Sequence, residues 1–291
     1  MNPRTVVWRF CDGKAGHERQ TAGLLRALAE LRSLDVHTVV RGTRLPAVAP
    51  QLALGAGSDS AWRMLFSPSS YRALRVYLMK PPVPAWCFDL CFVPRHDGAV
   101  DRAGVVATEG VLNDLVPSSG ARNGPGLVLV GGPSKHHRWE EASVLRQISA
   151  VLEGAAGEPV VVSDSRRTPA STRAALASLA VPGVEFVRHE AVLHNWLPAT
   201  LAVAPSAWVS ADSVSMLYEA LSAGCNVGVL EVPAIRDDRI SRIAASLAGR
   251  GLVTTFADWQ RTRSLSPPAA PLAEAARCAA LVDAALRARG V

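Results

Sequence analysis

Along the chain, short runs of aliphatic and β-branched residues alternate with longer Ala/Leu/Arg segments of helical period. Thr5–Phe10 reads as a strand, and a glycine-bearing loop leads from it into a helix over His17–Leu31. Leu24, Leu25, Leu28 and Leu31 form one apolar stripe on that helix. Val36–Val40, Leu52–Leu54, Val76–Met79, Phe88–Val93 and Val105–Ala107 continue the strand pattern. A Gly/Pro/Ser-rich stretch, Pro117–Gly126, interrupts it and reads as a linker. The pattern then restarts, with strands at Leu127–Val130, Val160–Ser163, Val184–Val187, Ala207–Val209 and Val227–Leu230. Helices are predicted at Glu140–Glu153, Ser171–Leu179 and Val214–Ala223, and a last one over Leu272–Arg289 follows Pro267 and Pro268. Such alternation predicts βαβ units and parallel sheets. The expected architecture is α/β, with Rossmann-type domains over 1–120 and 121–265 and a C-terminal helix in 266–291.

Composition narrows this picture. At 291 residues and 49% hydrophobic, the chain has enough apolar side chains to build more than one core, which excludes intrinsic disorder. No stretch approaches the roughly 20 apolar residues that span a bilayer, and the N-terminus lacks the pattern of a secretory signal. A cytoplasmic protein is expected. The net charge of +6 suits an anionic partner, yet there is no Lys/Arg run or basic–aromatic interleaving, so nucleic acid is not expected. Five scattered cysteines match no zinc spacing. Cys87 and Cys91 sit in what reads as a strand, about 13 Å apart, and cannot bridge, so reduced buried thiols are expected. Trp62–Lys80 mixes aromatics with Arg63, Arg72, Arg75 and Lys80. Ser67-Pro-Ser-Ser70 breaks any continuous amphipathic face, which favours a core-facing helix and strand over a membrane-surface element.

Four loops follow strands, where ligands of open parallel sheets bind. The first, Asp12-Gly-Lys-Ala-Gly-His17, is neither the dinucleotide fingerprint nor a P-loop. Its His17 is either a general base or a helix-start histidine bonded to backbone. The second, Gly131-Gly-Pro-Ser-Lys-His-His-Arg138, combines glycines, a hydroxyl and cations that suit a diphosphate; a structural turn is the alternative. In the third, Ser163–Pro169, Arg166 and Arg167 suit bidentate phosphate contacts, or Ser165 or Thr168 caps the next helix. In the fourth, Asp212 or Ser213 can cap a helix whose amides face a phosphate. Glu219 lies one turn beyond Ser215 on the same face, where it can accept from ribose hydroxyls or simply meet solvent.

At this fourth loop the sequence ADSVSMLYEALSAG resembles the nucleotide-binding helix of two-domain GT-B glycosyltransferases and of sugar-nucleotide 2-epimerases. Together with DGKAGHERQ, VPRHDG, TEGVLN, GGPSKHHRW and SDSRRTP, in that order, it resembles the family named for the plant mitochondrial-fission "elongated mitochondria" protein. Bacterial members of that family are regarded as glycosyltransferases. The resemblance spans about residues 4–265. It implies a GT-B-like fold, with two parallel sheets facing across a cleft. It places Gly131, Gly132, Ser134 and Lys135 in a phosphate loop, Arg166 and Arg167 near the diphosphate, and Ser213, Ser215 and Glu219 around phosphate and ribose. From the first half it implies Gly13, Gly16 and His17, with Arg95, His96 and Asp97. The segment from His194 to Ala199 departs from the glycine- and aromatic-rich pattern expected before the fourth loop, and no D-x-D metal signature is present.

The resulting expectation is a metal-independent glycosyltransferase. It would use a nucleoside diphosphate sugar as co-substrate and no other cofactor, with His17, or His96 with Asp97, deprotonating the acceptor hydroxyl. The acceptor is unknown; a lipid-linked one would bring peripheral contact with the inner membrane face. Two alternatives stay open: a noncatalytic scaffold that recruits partners at a membrane surface, and a sugar-nucleotide epimerase using Asp12, Asp97 or Glu109.

Overall fold

The computed structural model describes the chain except residues 1–3, 116–119, 156, 194 and 268–271. It divides into two compact units, 1–114 with 273–291, and 115–272. The start of the predicted linker, 117–119, lies outside the described residues, as does His194.

The first unit is a six-stranded, all-parallel sheet. Its elements are β1 (Thr5–Phe10), α1 (Ala15–Ala29), β2 (Leu34–Val39), β3 (Leu52–Ala56), α2 (Ser58–Leu65), β4 (Leu74–Leu78), β5 (Leu90–Pro94) and β6 (Val105–Thr108). The strand order is β2-β1-β3-β4-β5-β6. Side chains alternate between faces, as the period of two requires. Val7, Leu52, Leu54, Val76 and Phe92 meet the α1 face, whereas Trp8, Ala53, Tyr77 and Cys91 meet the α2 face. The C-terminal helix, Glu274–Ala288, belongs to this unit. Its Cys278, Ala279, Val282 and Leu286 share a core with Leu24 and Leu28 of α1. Burying one large aliphatic side chain there contributes about 1.5–3 kcal/mol. Arg32 fastens the helix further, bonding Asp283 (2.7 Å), Thr5 Oγ1 (2.9 Å) and the Val291 carbonyl (3.1 Å).

The second unit has β7 (Gly126–Leu129), α3 (Glu141–Gly154), β8 (Val160–Ser163), α4 (Ala170–Ala177), β9 (Val184–Val187), α5 (Trp196–Val203), β10 (Ser206–Ser210), α6 (Val214–Ala223), β11 (Asn226–Leu230), α7 (Ile243–Gly249), β12 (Thr254–Thr255) and α8 (Phe256–Thr262). Its all-parallel order is β12-β11-β10-β7-β8-β9. From β7 the chain winds outward to β9, then crosses back to lay β10 on the other side of β7. In the first unit, β2 and β3 likewise flank β1. Each sheet therefore has one topological switch point, at β1/β3 and at β7/β10, where successive connections leave to opposite faces and a crevice opens.

Two sequence expectations need correction. Cys87 ends a 3-10 turn, Ala85–Cys87, and β5 starts only at Leu90, so the pair does not lie in one extended strand. All five thiols are nevertheless free, and burial pushes that of Cys91 up to about 12. Between residues 58 and 80 a helix, a 3-10 turn at Pro68–Tyr71 and a strand do form, and Ala61 and Met64 face the core. Trp62, Phe66 and Tyr71, however, are exposed. Among the described residues, no helix is long and apolar enough to cross a membrane.

Candidate functional site

At the first switch point, β1 ends and the chain turns through Gly13, whose φ of 79° lies in the left-handed region open to glycine. The turn brings Asp12 back onto the first turn of α1. Its carboxylate takes the Lys14 amide on Oδ1 (3.1 Å) and lies 2.8 Å from His17 Nδ1 through Oδ2. Burial alone would raise the Asp12 pKa, but these bonds hold it below the ordinary carboxylate value. Asp12 is thus ionised near neutral pH, and a proton on His17 Nδ1 satisfies it. His17 Nε2 makes no hydrogen bond among the described residues, so its lone pair is the free basic position.

Gly57 opens the space for this pair. It follows β3 with φ of 85°, and a methyl group on it would overlap both the His17 ring and the Asp12 carboxylate. Gly55-Ala-Gly57 follows the predicted strand Leu52–Leu54 as a turn signal, but the role of Gly57 depends on β1 and β3 being neighbours. Gly16 differs: nothing lies within 4 Å of a Cβ built there, so the position borders open space.

His96 and Asp97 sit elsewhere. They form part of a 3-10 turn, Arg95–Asp97, after β5. β5 is three strand positions from β1, about 14 Å at roughly 4.8 Å per strand, so the structure does not bring them to His17. Arg95 pairs with Glu109 (2.8 Å) and Asp101 (3.3 Å).

The second switch point is stitched more tightly. The Gly131 amide donates to Ser210 Oγ (2.8 Å) and the Gly132 amide to Asp212 Oδ2 (3.0 Å). A Cβ on Gly131 would overlap the Asp212 carboxylate, and one on Gly132 the Arg167 carbonyl oxygen. The glycines therefore permit close approach of the protein's own chain, and these two amides are already engaged rather than free for a diphosphate. Ser134 Oγ likewise accepts from the His136 and His137 amides (3.2 and 3.0 Å).

The two adjacent arginines also part company. Arg167 donates to the Gly132 carbonyl (2.9 Å) and lies 2.7 Å from Asp212 Oδ2, clamping the β7, β8 and β10 loops together. Arg166 is exposed, and neither it nor the exposed Lys135 makes an ion pair among the described residues. Thr168 does not cap α4: its hydroxyl lies 2.6 Å from the Gly131 carbonyl oxygen and accepts from the Ser165 amide (2.9 Å).

Above this loop stands α6. Ser213 is its N-cap residue, but no side chain caps the helix, because Asp212 is turned to Gly132 and Arg167. The first-turn amides of Val214, Ser215 and Met216 are left without helical partners, the arrangement that favours an anion. Ser215 is exposed and Glu219 half-buried one turn on. Two buried polar atoms lack a hydrogen-bond partner among the described residues here, Asp212 Oδ1 and His137 Nδ1. Burial keeps the His137 pKa below the usual histidine value, so the ring is neutral. His136 Nδ1 lies 2.7 Å from Asp238, and this bond first, with those from the Ser241 and Ile240 amides, holds that carboxyl at about 2. Sequence reading did not single out Asp238 or Ser210, whose partners lie 102 and 79 residues away.

The family model described as Mitochondrial fission ELM1 matches residues 15–286. None of the curated proteins matches the chain in sequence. Among solved structures, the UDP-GlcNAc 2-epimerase from Methanocaldococcus jannaschii matches with a TM-score of 0.55 at 9% identity, covering 96% of this chain and 100% of the other. The UDP-GlcNAc 2-epimerase from Neisseria meningitidis, bound to UDP-GlcNAc, matches with a TM-score of 0.52 at 11% identity, covering 97% and 100%. The chain shares with them the GT-B fold, with a parallel α/β sheet in each of its two units.

Proposed function

We propose, from the premise that this chain belongs to the mitochondrial fission ELM1 family, that it is a glycosyltransferase using a nucleoside diphosphate sugar. The observation that carries the reading is the uncapped N-terminus of α6 at the switch point of the second sheet, with Lys135 and Arg166, exposed and without an ion pair among the described residues, in the loops that follow β7 and β8. In this reading, the donor's diphosphate lies against the amides of Val214–Met216, and Glu219 accepts from the ribose hydroxyls. The nucleotide-sugar enzymes of like fold are consistent with this assignment.

The chemistry follows from where charge develops. As the anomeric carbon–oxygen bond to the diphosphate breaks, negative charge grows on the leaving phosphate. Helix amides, Arg166 and Lys135 are fixed donors that stabilise it. The acceptor hydroxyl attacks the anomeric carbon, and its proton passes to His17 Nε2. Asp12, holding Nδ1, orients the ring and stabilises the imidazolium that results. The products are the glycoside and a nucleoside diphosphate.

Epimerisation needs acid–base carboxylates around the sugar. Asp12 is engaged by His17 and the Lys14 amide, Glu109 by Arg95, and Asp97 lies three strands from β1. Transfer is therefore the better supported reading. A scaffold without catalysis would tolerate loss of His17.

The test is isothermal titration with uridine, guanosine, adenosine and cytidine diphosphates, on the natural chain and on Glu219→Ala. Micromolar binding of one nucleotide, weakened in the variant, is expected. Absence of binding at millimolar concentration would remove the donor site and the reading with it.

A further inference from the structure

Away from both switch points, the first unit holds a cavity of about 420 Å³, within the roughly 300–1,000 Å³ range of small-molecule clefts. It arises from how the chain crosses between parallel strands. A helix normally covers such a crossover. Here the β4–β5 and β5–β6 connections hold only the 3-10 turns Ala85–Cys87 and Arg95–Asp97. The α2 face of β5 and β6 is consequently roofed by loops, and Val93 and Val105 floor a space that a crossover helix would fill.

The lining is mainly aliphatic, with Val83, Ala99 and Val100 closing over that floor. Val100 is 72% exposed, and Trp86, next in the chain to the lining Ala85, is 82% exposed. An exposed apolar side chain such as Val100 in the wall of an aliphatic cavity suits contact with an apolar ligand. Two cations line the same cavity, Lys80 and Arg102, and neither makes an ion pair among the described residues. Asp97 is the one acidic residue of the lining. Met79, directly before Lys80, adopts a φ of 76°, which a side chain other than glycine's rarely takes. Backbone strain of this kind persists where the surrounding structure fixes it, and it concentrates at ligand sites.

We propose that this cavity binds an anionic single-chain amphiphile, its alkyl chain over Val93 and Val105 and its head group between Lys80 and Arg102. The volume admits one chain, the aliphatic floor selects an alkyl body, and the cation pair selects a phosphate or carboxylate head. The site is independent of the nucleotide reading.

The probe is dodecyl phosphate, titrated calorimetrically below its micelle concentration into the full chain. Dodecyltrimethylammonium and inorganic phosphate serve as controls. Micromolar binding of dodecyl phosphate alone is expected. Lys80→Gln and Arg102→Gln should each weaken it about tenfold, the effect of losing one charge-assisted contact. Val100→Asp, at an exposed position, should abolish binding while leaving the circular dichroism and melting temperature unchanged. Nucleotide titrations on the same variants should not change, so failure here and failure of the donor site are separate results. No binding of dodecyl phosphate, equal binding by all variants, or equally tight binding of the cationic detergent would each overturn the proposal.

Discussion

The two switch points occupy equivalent places in two sheets of similar size, yet they are built to opposite plans. In the first unit, one carboxylate and one imidazole meet at 2.8 Å in a space that Gly57 keeps clear, and the imidazole's outer nitrogen makes no hydrogen bond among the described residues. In the second, glycines let the loop close onto Asp212 and Arg167, which engages the Gly131 and Gly132 amides internally while leaving buried Asp212 Oδ1 and His137 Nδ1 without a partner among the described residues. What the second site leaves open is the helix terminus and two exposed cations in its loops, Lys135 and Arg166. One crevice suits moving a proton; the other suits holding a fixed anion against a rigid wall.

Substitutions can break or sharpen this contrast. The largest effect is expected from His17→Ala, which should slow release of nucleoside diphosphate from the donor by about 10²–10⁴-fold while nucleotide affinity stays the same. Unchanged turnover would remove the proton-transfer role from the first switch point. Next comes a pair of glycines that the sequence treats alike. Gly132→Ala should destabilise by about 1–3 kcal/mol through overlap with the Arg167 carbonyl, whereas Gly16→Ala should lie within about 0.5 kcal/mol of the natural chain. Denaturant midpoints would reveal it if the two behaved the same.

The neighbouring arginines give a finer division. Arg166→Ala should weaken nucleoside diphosphate binding about tenfold, more at low salt, and leave the melting temperature in place. Arg167→Ala should lower the melting temperature, because it removes the clamp on Asp212, a carboxylate buried in the protein. The smallest effect concerns acid. Asp238 binds its proton less readily folded than unfolded, so its contribution is complete above about pH 4 and is lost as pH falls towards 2. Asp238→Asn should therefore flatten stability only across that interval, measured by thermal unfolding in a pH series.

Much of the framework was legible in the sequence because buried parallel strands leave unmistakable aliphatic runs; β1, β8, β9 and α6 match the predicted bounds residue for residue. The short elements were not. β12 has two residues and α7 and α8 seven each, too few for a periodic signal to emerge. The loops that carry chemistry were legible as places, since each follows a strand. Their wiring was not, because it depends on residues far apart in sequence. Arg166 and Arg167 are indistinguishable as letters, and only the β7/β10 adjacency sends one inward to Asp212. In the same way Gly57 reads as a turn until β3 is placed beside β1.

The most direct test is a crystal structure of the protein with the nucleoside diphosphate that binds best. The diphosphate is expected against the first-turn amides of Val214–Met216, with Arg166 or Lys135 at the phosphates and the Gly131–Gly132 loop unmoved. A nucleotide bound away from that helix terminus, or a loop that must unlatch from Asp212 to admit it, would contradict the account.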